Sequence, residues 1–118
     1  MRSKGQELFA EYTSFKLGHE SDKYRLQLGA YSGTVGESNL GLSYQNGAAF
    51  TTFDNSNAVG TAVNCGVEYK GAWWYNHYCA YSNLNGLWGV KDHTGVSWKN
   101  GDGYIYPTFT EMKIRRLN

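Results

Sequence analysis

Residues 69–86 decide the fold of this chain, and their sequence is YKGAWWYNHYCAYSNLNG. Tyrosine and tryptophan crowd this stretch around two consecutive tryptophans, Trp73 and Trp74, and Cys79 lies near its centre. The same bias holds for the whole chain, which has ten tyrosines, four tryptophans and fifteen glycines. Aromatic rings combined with conformationally permissive glycines favour a loop-rich fold whose rings can stack on a ligand. At least one of the two tryptophans is expected in the core.

The chain has 118 residues, which is enough for one modest domain. Its formal net charge is +1, so no excess of either sign points to nucleic acid or to an anionic membrane surface. An aromatic content of 16% beside only 18% charged residues is typical of a folded chain rather than a disordered one. No apolar run approaches the length that a membrane-spanning helix needs.

The secondary-structure signals are short strands separated by long loops. Residues 24–28 alternate apolar and polar side chains, which predicts a half-buried strand that the glycines of residues 29–33 then break. Asn46-Gly47 is a strong turn signal within a segment poor in helix formers. At the C-terminus, Met112 and Ile114 alternate with charged residues and predict a terminal strand over residues 111–115.

These segments together resemble a known family. Residues 69–75 and 82–86, with a cysteine between them, resemble the fibrinogen C-terminal domain family, which includes ficolins, angiopoietins and the tails of tenascins. Residues 9–18, 24–34 and 110–115 are similar to strands of that family, in the same order along the chain. A set of motifs in order is far more specific than any one of them.

The resemblance implies an α+β fold that is mostly β and loop-rich, of the fibrinogen C-terminal type and truncated at its N-terminal side. Residues 1–118 would form a partial domain, made of the central strands and the C-terminal ligand-binding loops. A complete domain of the family carries a further N-terminal part, and nothing in this sequence corresponds to it. We therefore expect a fragment of a larger domain.

The two cysteines, Cys65 and Cys79, match the last conserved disulfide of the family, with one extra residue between them. The resemblance implies that they are bonded to each other. The alternative is two reduced, buried thiols, which is a common state for cysteines in proteins. A zinc site is not expected, because two cysteines without CxxC spacing do not supply its ligand set.

The loop Asp54–Ala58 is the one candidate for a cofactor, which would be calcium, because its side chains are rich in oxygen. The family binds calcium in the corresponding loop, but its two ligand positions fall here on Ser56 and Ala58. Neither residue supplies a carboxylate, so Asp54 and Asn57 remain as the candidate metal ligands. The alternative is a turn whose polar side chains bond their own backbone, and a single carboxylate favours this second interpretation.

The aromatic cluster around the cysteines is the candidate ligand site. In ficolin-like members a pocket beside this disulfide receives the acetyl group of N-acetylated sugars. Tyr69 matches a tyrosine of that pocket, whereas Ala80 stands where the family usually has histidine. The resemblance implies that the site is formed by Tyr69, His77, Tyr78, Ala80, Tyr81, Asp92, His93 and Tyr104.

An enzyme is not expected. The three histidines lie in different segments, and the sequence contains no GxSxG, HExxH or phosphate-binding loop motif.

The function that the resemblance implies is a secreted, extracellular lectin of innate defence that binds acetylated glycans. The alternative is an adhesive or receptor-binding module of the angiopoietin or tenascin type, which recognises a protein partner. A truncated product without function is a third possibility. Family members oligomerise through upstream segments, which this sequence lacks.

Overall fold

The computed structural model describes residues 1–35, 41–58 and 63–116. In these residues the regular structure is mostly short β-strands, with two 3₁₀ turns at Glu20–Asp22 and Gly41–Gln45 and a four-residue helix α1 at Cys65–Glu68. The strands are β1 (Arg2–Ser3), β2 (Gln6–Glu7), β3 (Ala10–Tyr12), β4 (Phe15–Leu17), β5 (Leu26–Leu28), β6 (Tyr31–Gly33), β7 (Ser82–Asn83), β8 (Ser97–Asn100) and β9 (Gly103–Ile105). No helix among the described residues is long and apolar enough to cross a membrane.

The first half of the chain is built from antiparallel pairs. Strand β1 pairs with β2, β3 with β6, and β4 with β5. In the last pair Leu17 lies opposite Leu26 and Phe15 opposite Leu28. Leu26 is fully buried. The alternating pattern of residues 24–28 therefore turns one face of this pair toward the core, as period-two side-chain alternation requires.

The predicted strand at residues 24–28 is shorter than expected. Tyr24 has a φ of 52°, in the left-handed region, so the strand begins only at Leu26. The indole N–H of Trp74 donates a hydrogen bond to the Tyr24 carbonyl at 3.0 Å. The expected break at residues 29–33 is wrong in part, because Tyr31–Gly33 forms β6 against β3. Composition could not reveal this pairing, since it depends on a partner strand twenty residues away.

Both consecutive tryptophans lie in the core. Trp73 is 1% exposed and Trp74 is 7% exposed. The backbone of Trp73 exchanges two hydrogen bonds with Thr51, at 2.9 and 3.1 Å. The ring of Trp74 packs edge-on against Phe50 and Phe15, with centroids 5.2 and 6.1 Å apart. The side chains of adjacent residues normally point to opposite sides of the backbone. Burial of both tryptophans therefore requires other segments of the chain to pack on both sides of residues 73–74.

A buried amide joins the core to the second half of the chain. Gln45 is completely buried, and its Nε2 donates to the Trp74 carbonyl at 2.6 Å. Its Oε1 accepts from the backbone N–H of Ser82 at 3.0 Å and from the Ser82 hydroxyl at 3.1 Å. Strand β7, which contains Ser82, pairs with β8, and β8 pairs with β9. The amide therefore connects this three-stranded sheet to the tryptophan pair.

The predicted terminal strand is wrong. Residues 111–115 alternate apolar and charged side chains as a strand would, but residues 111–116 belong to no strand of the described structure. Met112 is 50% exposed and Ile114 is 74% exposed. An alternating pattern creates an apolar face, but a strand also needs a neighbouring backbone edge to pair with. Among the described residues, no backbone hydrogen bond joins residues 111–116 to another segment.

We predict that Gln45→Ala lowers the free energy of unfolding by about 2–4 kcal/mol, because the Trp74 carbonyl and the Ser82 N–H then remain buried without a partner. Urea denaturation followed by tryptophan fluorescence measures the change. The matched control is Gln27→Ala, at an exposed position of β5, which should change stability by less than about 0.5 kcal/mol. Equal effects of the two substitutions would contradict the role of the buried amide.

Candidate functional site

Helix α1 and a disulfide form one side of the site. The Asn64 side chain caps the helix by accepting from the Val67 N–H. Cys65, the first residue of α1, is bonded to Cys79, and both cysteines are buried. Tyr69 directly follows the helix, and its N–H donates to the Cys65 carbonyl at 2.8 Å. The disulfide and the cap therefore fix where the Tyr69 ring stands.

A tight turn at residues 76–79 holds the other end of the disulfide. The backbones of Asn76 and Cys79 exchange two hydrogen bonds, at 2.7 and 2.8 Å. Cys79 has a φ of 62°, which residues other than glycine rarely adopt. The turn presents Tyr78 to solvent, where it is 67% exposed. Ala80, just after the turn, is buried and faces the site.

The loop from Gly86 to Gly95 supplies the second side. Its ends are joined by a hydrogen bond from the Leu87 N–H to the Thr94 carbonyl at 2.8 Å. A Cβ atom at Gly86 would lie 2.2 Å from the Gly95 carbonyl oxygen, so only glycine permits this approach. Closure of the loop brings Asp92 and His93 toward Tyr69. The rings of His93 and Tyr69 are 5.2 Å apart and edge-on.

Strands β8 and β9 form the third side. Their register places Lys99 opposite Tyr104 and Trp98 opposite Ile105. Trp98 is buried in the core, so the neighbouring residues Ser97 and Lys99 lie on the opposite face of the strand. Tyr104 and Tyr106, two positions apart, share one side in the same way.

These three sides enclose a cavity of about 120 Å³. Aromatic rings and hydroxyl groups make up most of its wall. The lining residues are Tyr69, Ala80, Asp92, His93, Ser97, Tyr104 and Tyr106.

The titratable groups of the cavity include two tyrosine hydroxyls that can donate hydrogen bonds to a ligand. Partial burial raises the pKa of Tyr69 and of Tyr104 above the ordinary value of a phenol. Both hydroxyls therefore stay protonated at neutral pH. The carboxylate of Asp92 accepts from the Thr94 hydroxyl and the Thr94 N–H, and these bonds lower the pKa of Asp92. His93 Nε2 lies 3.0 Å from a carboxylate oxygen of Glu68.

Comparison with known proteins assigns the family. The sequence pattern of the family described as fibrinogen beta and gamma chains, C-terminal globular domain, matches residues 1–117. The chain belongs to the fibrinogen C-terminal domain family. It is 44% identical to ryncolin-4 of Cerberus rynchops over 91% of this chain, and 40% identical to human tenascin-R over 100% of it. The fibrinogen-like globe domain of human ANGPTL2 superposes with a TM-score of 0.77 and 40% identity, over 88% of this chain.

This fibrinogen-like chain spans only part of each relative. It covers 31% of ryncolin-4, 8% of tenascin-R and 49% of the solved ANGPTL2 globe. The predicted fold class is confirmed, since the chain is mostly strand and loop and corresponds to about half of a solved fibrinogen-like globe. Membership also makes the chain a fibrinogen-like recognition module at the level of the family. The type of ligand differs among such relatives and is not given by membership.

The structure brings together five of the eight predicted site residues. Tyr69, Ala80, Asp92, His93 and Tyr104 line the cavity. The other three do not. His77 and Tyr78 stack on each other at 4.6 Å at the exposed turn, and Tyr81 stacks on Tyr44 at 4.1 Å beside the cavity. The wall also contains Ser97 of β8 and Tyr106, which follows β9.

The sequence argument missed two lining residues. Tyr106 could have been found, because it lies two positions after Tyr104 and alternation puts both on one side. Ser97 could not have been found, because its position depends on the pairing of β8 with β9, and no sequence motif predicts that register. Both add hydroxyl groups to the wall.

The predicted calcium ligands are engaged in a turn. The carboxylate of Asp54 accepts from the Thr52 hydroxyl at 2.7 Å. The Asn57 amide donates to the Phe50 carbonyl at 2.8 Å, and Thr52 and Asn55 exchange backbone hydrogen bonds. The Asn57 contact is of the kind that the alternative interpretation describes, since a side-chain amide bonds the backbone, whereas Asp54 bonds a side-chain hydroxyl. Within residues 1–35, 41–58 and 63–116, no three acidic, histidine or cysteine side chains are grouped to hold a metal.

We predict that replacing both cysteines, Cys65→Ser with Cys79→Ser, lowers the free energy of unfolding by about 3 kcal/mol, because the bond closes a loop of 14 residues. Urea denaturation of the oxidised wild type and the double variant measures the difference. Thiol counting by mass spectrometry is the direct check on the bond. Two free thiols in soluble, oxidatively refolded wild type would contradict it.

We also predict that the melting temperature changes by less than about 2 °C between excess chelator and a few millimolar calcium. Calcium binding requires several oxygen ligands with sufficient negative charge, and Asp54 is the only carboxylate in its turn. A ligand that binds the folded state must stabilise it. A rise of several degrees that Asp54→Asn abolishes would establish calcium binding in this loop.

Proposed function

We propose that this chain is the ligand-binding part of a non-catalytic, ficolin-like recognition module, and that its cavity receives the acetyl group of an N-acetylated sugar. The observation that carries the proposal is the cavity of about 120 Å³ beside the Cys65–Cys79 disulfide, lined by rings and hydroxyls. Pockets for whole drug-sized ligands measure about 300–1,000 Å³. A cavity of about 150 Å³ holds a molecule the size of benzene. This cavity therefore suits one substituent of a sugar rather than the sugar itself.

The chemistry of the wall fits an acetamido group. Its methyl would contact Ala80 and the aromatic rings, and its carbonyl oxygen would accept from tyrosine or serine hydroxyls. Tyr69 and Tyr104 are suitable donors because a phenol hydroxyl is protonated at neutral pH, and partial burial raises the pKa of each further. The histidine expected at position 80 is absent, but His93 places an imidazole against Tyr69 from a different loop. We assign to His93 the place in the pocket wall that the missing histidine would have had.

The contacts of the titratable groups favour binding over catalysis. A catalytic nucleophile needs a base within hydrogen-bond reach. The imidazole of His93 contacts Glu68, and the carboxylate of Asp92 accepts from Thr94, so within the described residues neither group is hydrogen-bonded to Ser97 or to a tyrosine hydroxyl of the cavity. No hydrogen bond joins His93 to Ser97 in the part of the chain that the structure describes.

A protein partner is the second candidate, as in an adhesive or receptor-binding module. Two exposed rings favour it: Trp88 is 75% exposed and Tyr78 is 67% exposed. The Trp88 indole N–H donates to the Thr108 carbonyl at 3.2 Å, so this ring is held in place while its faces stay open. Fixed, exposed aromatic side chains are the usual anchors of protein interfaces.

We place the module outside the cell. The buried disulfide fits an oxidising compartment. Assembly into oligomers through segments upstream of this chain would raise the avidity of a shallow site.

The test is a glycan array, followed by titration with N-acetylglucosamine and competition by free acetate. We expect millimolar acetate to displace the sugar. Tyr69→Phe should weaken binding about three- to tenfold, because it removes one hydrogen-bond donor and keeps the ring. Tyr69→Ala should abolish binding.

The matched control is Tyr78→Phe, which makes the same change outside the cavity and should leave sugar affinity unchanged. A blank array from folded, disulfide-bonded protein would overturn the acetyl proposal and favour the protein partner. Loss of an identified partner in Trp88→Ala would then support the second candidate.

A further inference from the structure

A groove of about 400 Å³ lies between two extended segments of the chain, away from the cavity beside the disulfide. Residues 9–12, which contain β3, form one wall of this groove, and residues 111–114 form the other. The buried side chains of Leu42 and Trp98 also line it. The groove shares no lining residue with the cavity beside the disulfide, so it is a separate surface feature.

Both walls present backbone groups that have no strand partner. In an antiparallel pair, alternate residues turn their N–H and C=O groups to opposite edges. The Phe9 carbonyl and the Thr13 N–H bond residues that flank β6, at 2.9 and 3.0 Å, so the alternation turns the backbone groups of Ala10 and Tyr12 to the other edge of β3. No described strand pairs with that edge, and no backbone hydrogen bond joins residues 111–116 to another described segment.

Strand β1 lies between two antiparallel neighbours. Arg2 is opposite Glu7 of β2 on one side and forms a bridge to Phe109 on the other. Met1, one position earlier, exchanges two backbone hydrogen bonds with Leu8, each of 2.8 Å. The two neighbours therefore lie one strand spacing from β1, on opposite sides of it.

The register of β1 can be continued past its first residue. Each further position along the same line falls one residue later on both antiparallel neighbours. The next four positions therefore lie opposite residues 9–12 on one side and residues 111–114 on the other. These are the residues that form the two walls of the groove. The groove is thus one strand wide and in line with β1.

The apolar side chains of the two walls are in phase. In the continued register one position lies between Ala10 and Met112, and a second lies between Tyr12 and Ile114. Ala10 and Tyr12 are half-buried and pack against the core. Residues opposite each other in neighbouring strands project on the same face of a sheet. A strand in the groove therefore needs apolar residues at these two positions.

The position between the two apolar ones is surrounded by charge. It lies opposite Glu11 on one wall and Lys113 on the other. The Lys113 ammonium is already 3.2 Å from the Glu111 carboxylate. Glu11 takes part in none of the ion pairs among the described residues. The unbalanced charge beside this position is therefore negative, and a basic residue complements it.

We propose that this groove is a strand-acceptor site, which binds an extended apolar–basic–apolar segment of a different protein. The segment runs antiparallel to β3 and to residues 111–114. Its backbone bonds the free groups of Ala10 and Tyr12, and its two apolar side chains cover the groove. In strand addition of this kind, main-chain hydrogen bonds give affinity and alternate side chains give specificity.

The experiment titrates the full chain with terminally blocked peptides. The probe is Thr-Val-Lys-Ile-Thr, whose valine, lysine and isoleucine would lie opposite Tyr12, Glu11 and Ala10. The control peptide Thr-Val-Ile-Lys-Thr has the same composition, but no register places both of its apolar residues on one face. Thr-Val-Glu-Ile-Thr reverses the central charge. Calorimetry measures affinity, and amide hydrogen exchange at Ala10 and Tyr12 reports where the peptide binds.

Three variants of the chain test the two walls. Ile114→Ser removes an apolar contact at a position that is 74% exposed, so the fold should tolerate it. Phe53→Ser is the matched control, because Phe53 is 71% exposed and does not line the groove. Glu11→Lys reverses the unbalanced charge.

We expect the probe to bind about tenfold more tightly than the control peptide, because it covers the groove with two apolar side chains instead of one. It should also slow amide exchange at Ala10 and Tyr12. Ile114→Ser should weaken binding about three- to tenfold, and Phe53→Ser should behave as wild type. The peptide with glutamate should bind about two- to fivefold more weakly than the probe, and Glu11→Lys should reverse that order.

Four outcomes would overturn the proposal. The first is equal affinity of the probe and the control peptide, and the second is binding that leaves exchange at Ala10 and Tyr12 unchanged. Slow exchange of these amides in the peptide-free monomer would show that the chain itself closes the groove. A concentration-dependent dimer that Ile114→Ser dissociates and the probe does not, observed by analytical ultracentrifugation, would assign the groove to a second copy of the chain. None of these outcomes bears on the acetyl cavity.

Discussion

The side-chain amide of Gln45 is the contact on which the rest of this structure depends. The chain has little regular structure, so few of its segments are joined by long ladders of backbone hydrogen bonds. Gln45 replaces such a ladder at one point, because it bonds the Trp74 carbonyl and the N–H and hydroxyl groups of Ser82 from a fully buried position. An amide has donor and acceptor groups together, which lets one side chain satisfy two segments that would otherwise bury unpaired groups.

The contacts of the Gln45 amide also position one wall of the cavity. Ser82 begins β7, β7 pairs with β8, and β8 with β9, so the strand wall of the cavity is positioned relative to the tryptophan core by the buried amide. The opposite wall is positioned by the Cys65–Cys79 bond, which ties helix α1 to the turn that precedes Ala80. Two independent anchors therefore hold the two sides of one small cavity. This rigidity favours selective recognition of a small group, since a pre-formed site loses less conformational entropy on binding.

Charged side chains lie on two sides of the cavity. On the loop side the Glu68 carboxylate lies 3.0 Å from His93 and the Asp92 carboxylate accepts hydrogen bonds from Thr94, and on the strand side the Lys99 ammonium lies 5.1 Å from the centroid of the Tyr104 ring. Net charge gives no hint of this, because a total of +1 is compatible with any distribution.

Local sequence sufficed for the family and for a core position of at least one of the two tryptophans, since motifs of consecutive residues are contained in the chain itself. The cysteine pair followed only through the resemblance to the family. Local sequence also indicated five of the lining residues, because they flank those motifs. The strand at residues 24–28 was predicted too long and the one at residues 111–115 wrongly, because strands need partners that no local pattern contains. Only the folded chain decided that Ser97 and Tyr106 line the cavity and that Tyr78 and Tyr81 do not. Those placements follow from the pairing of β8 with β9 and from the turn at residues 76–79, which bring distant residues together and are set by tertiary contacts.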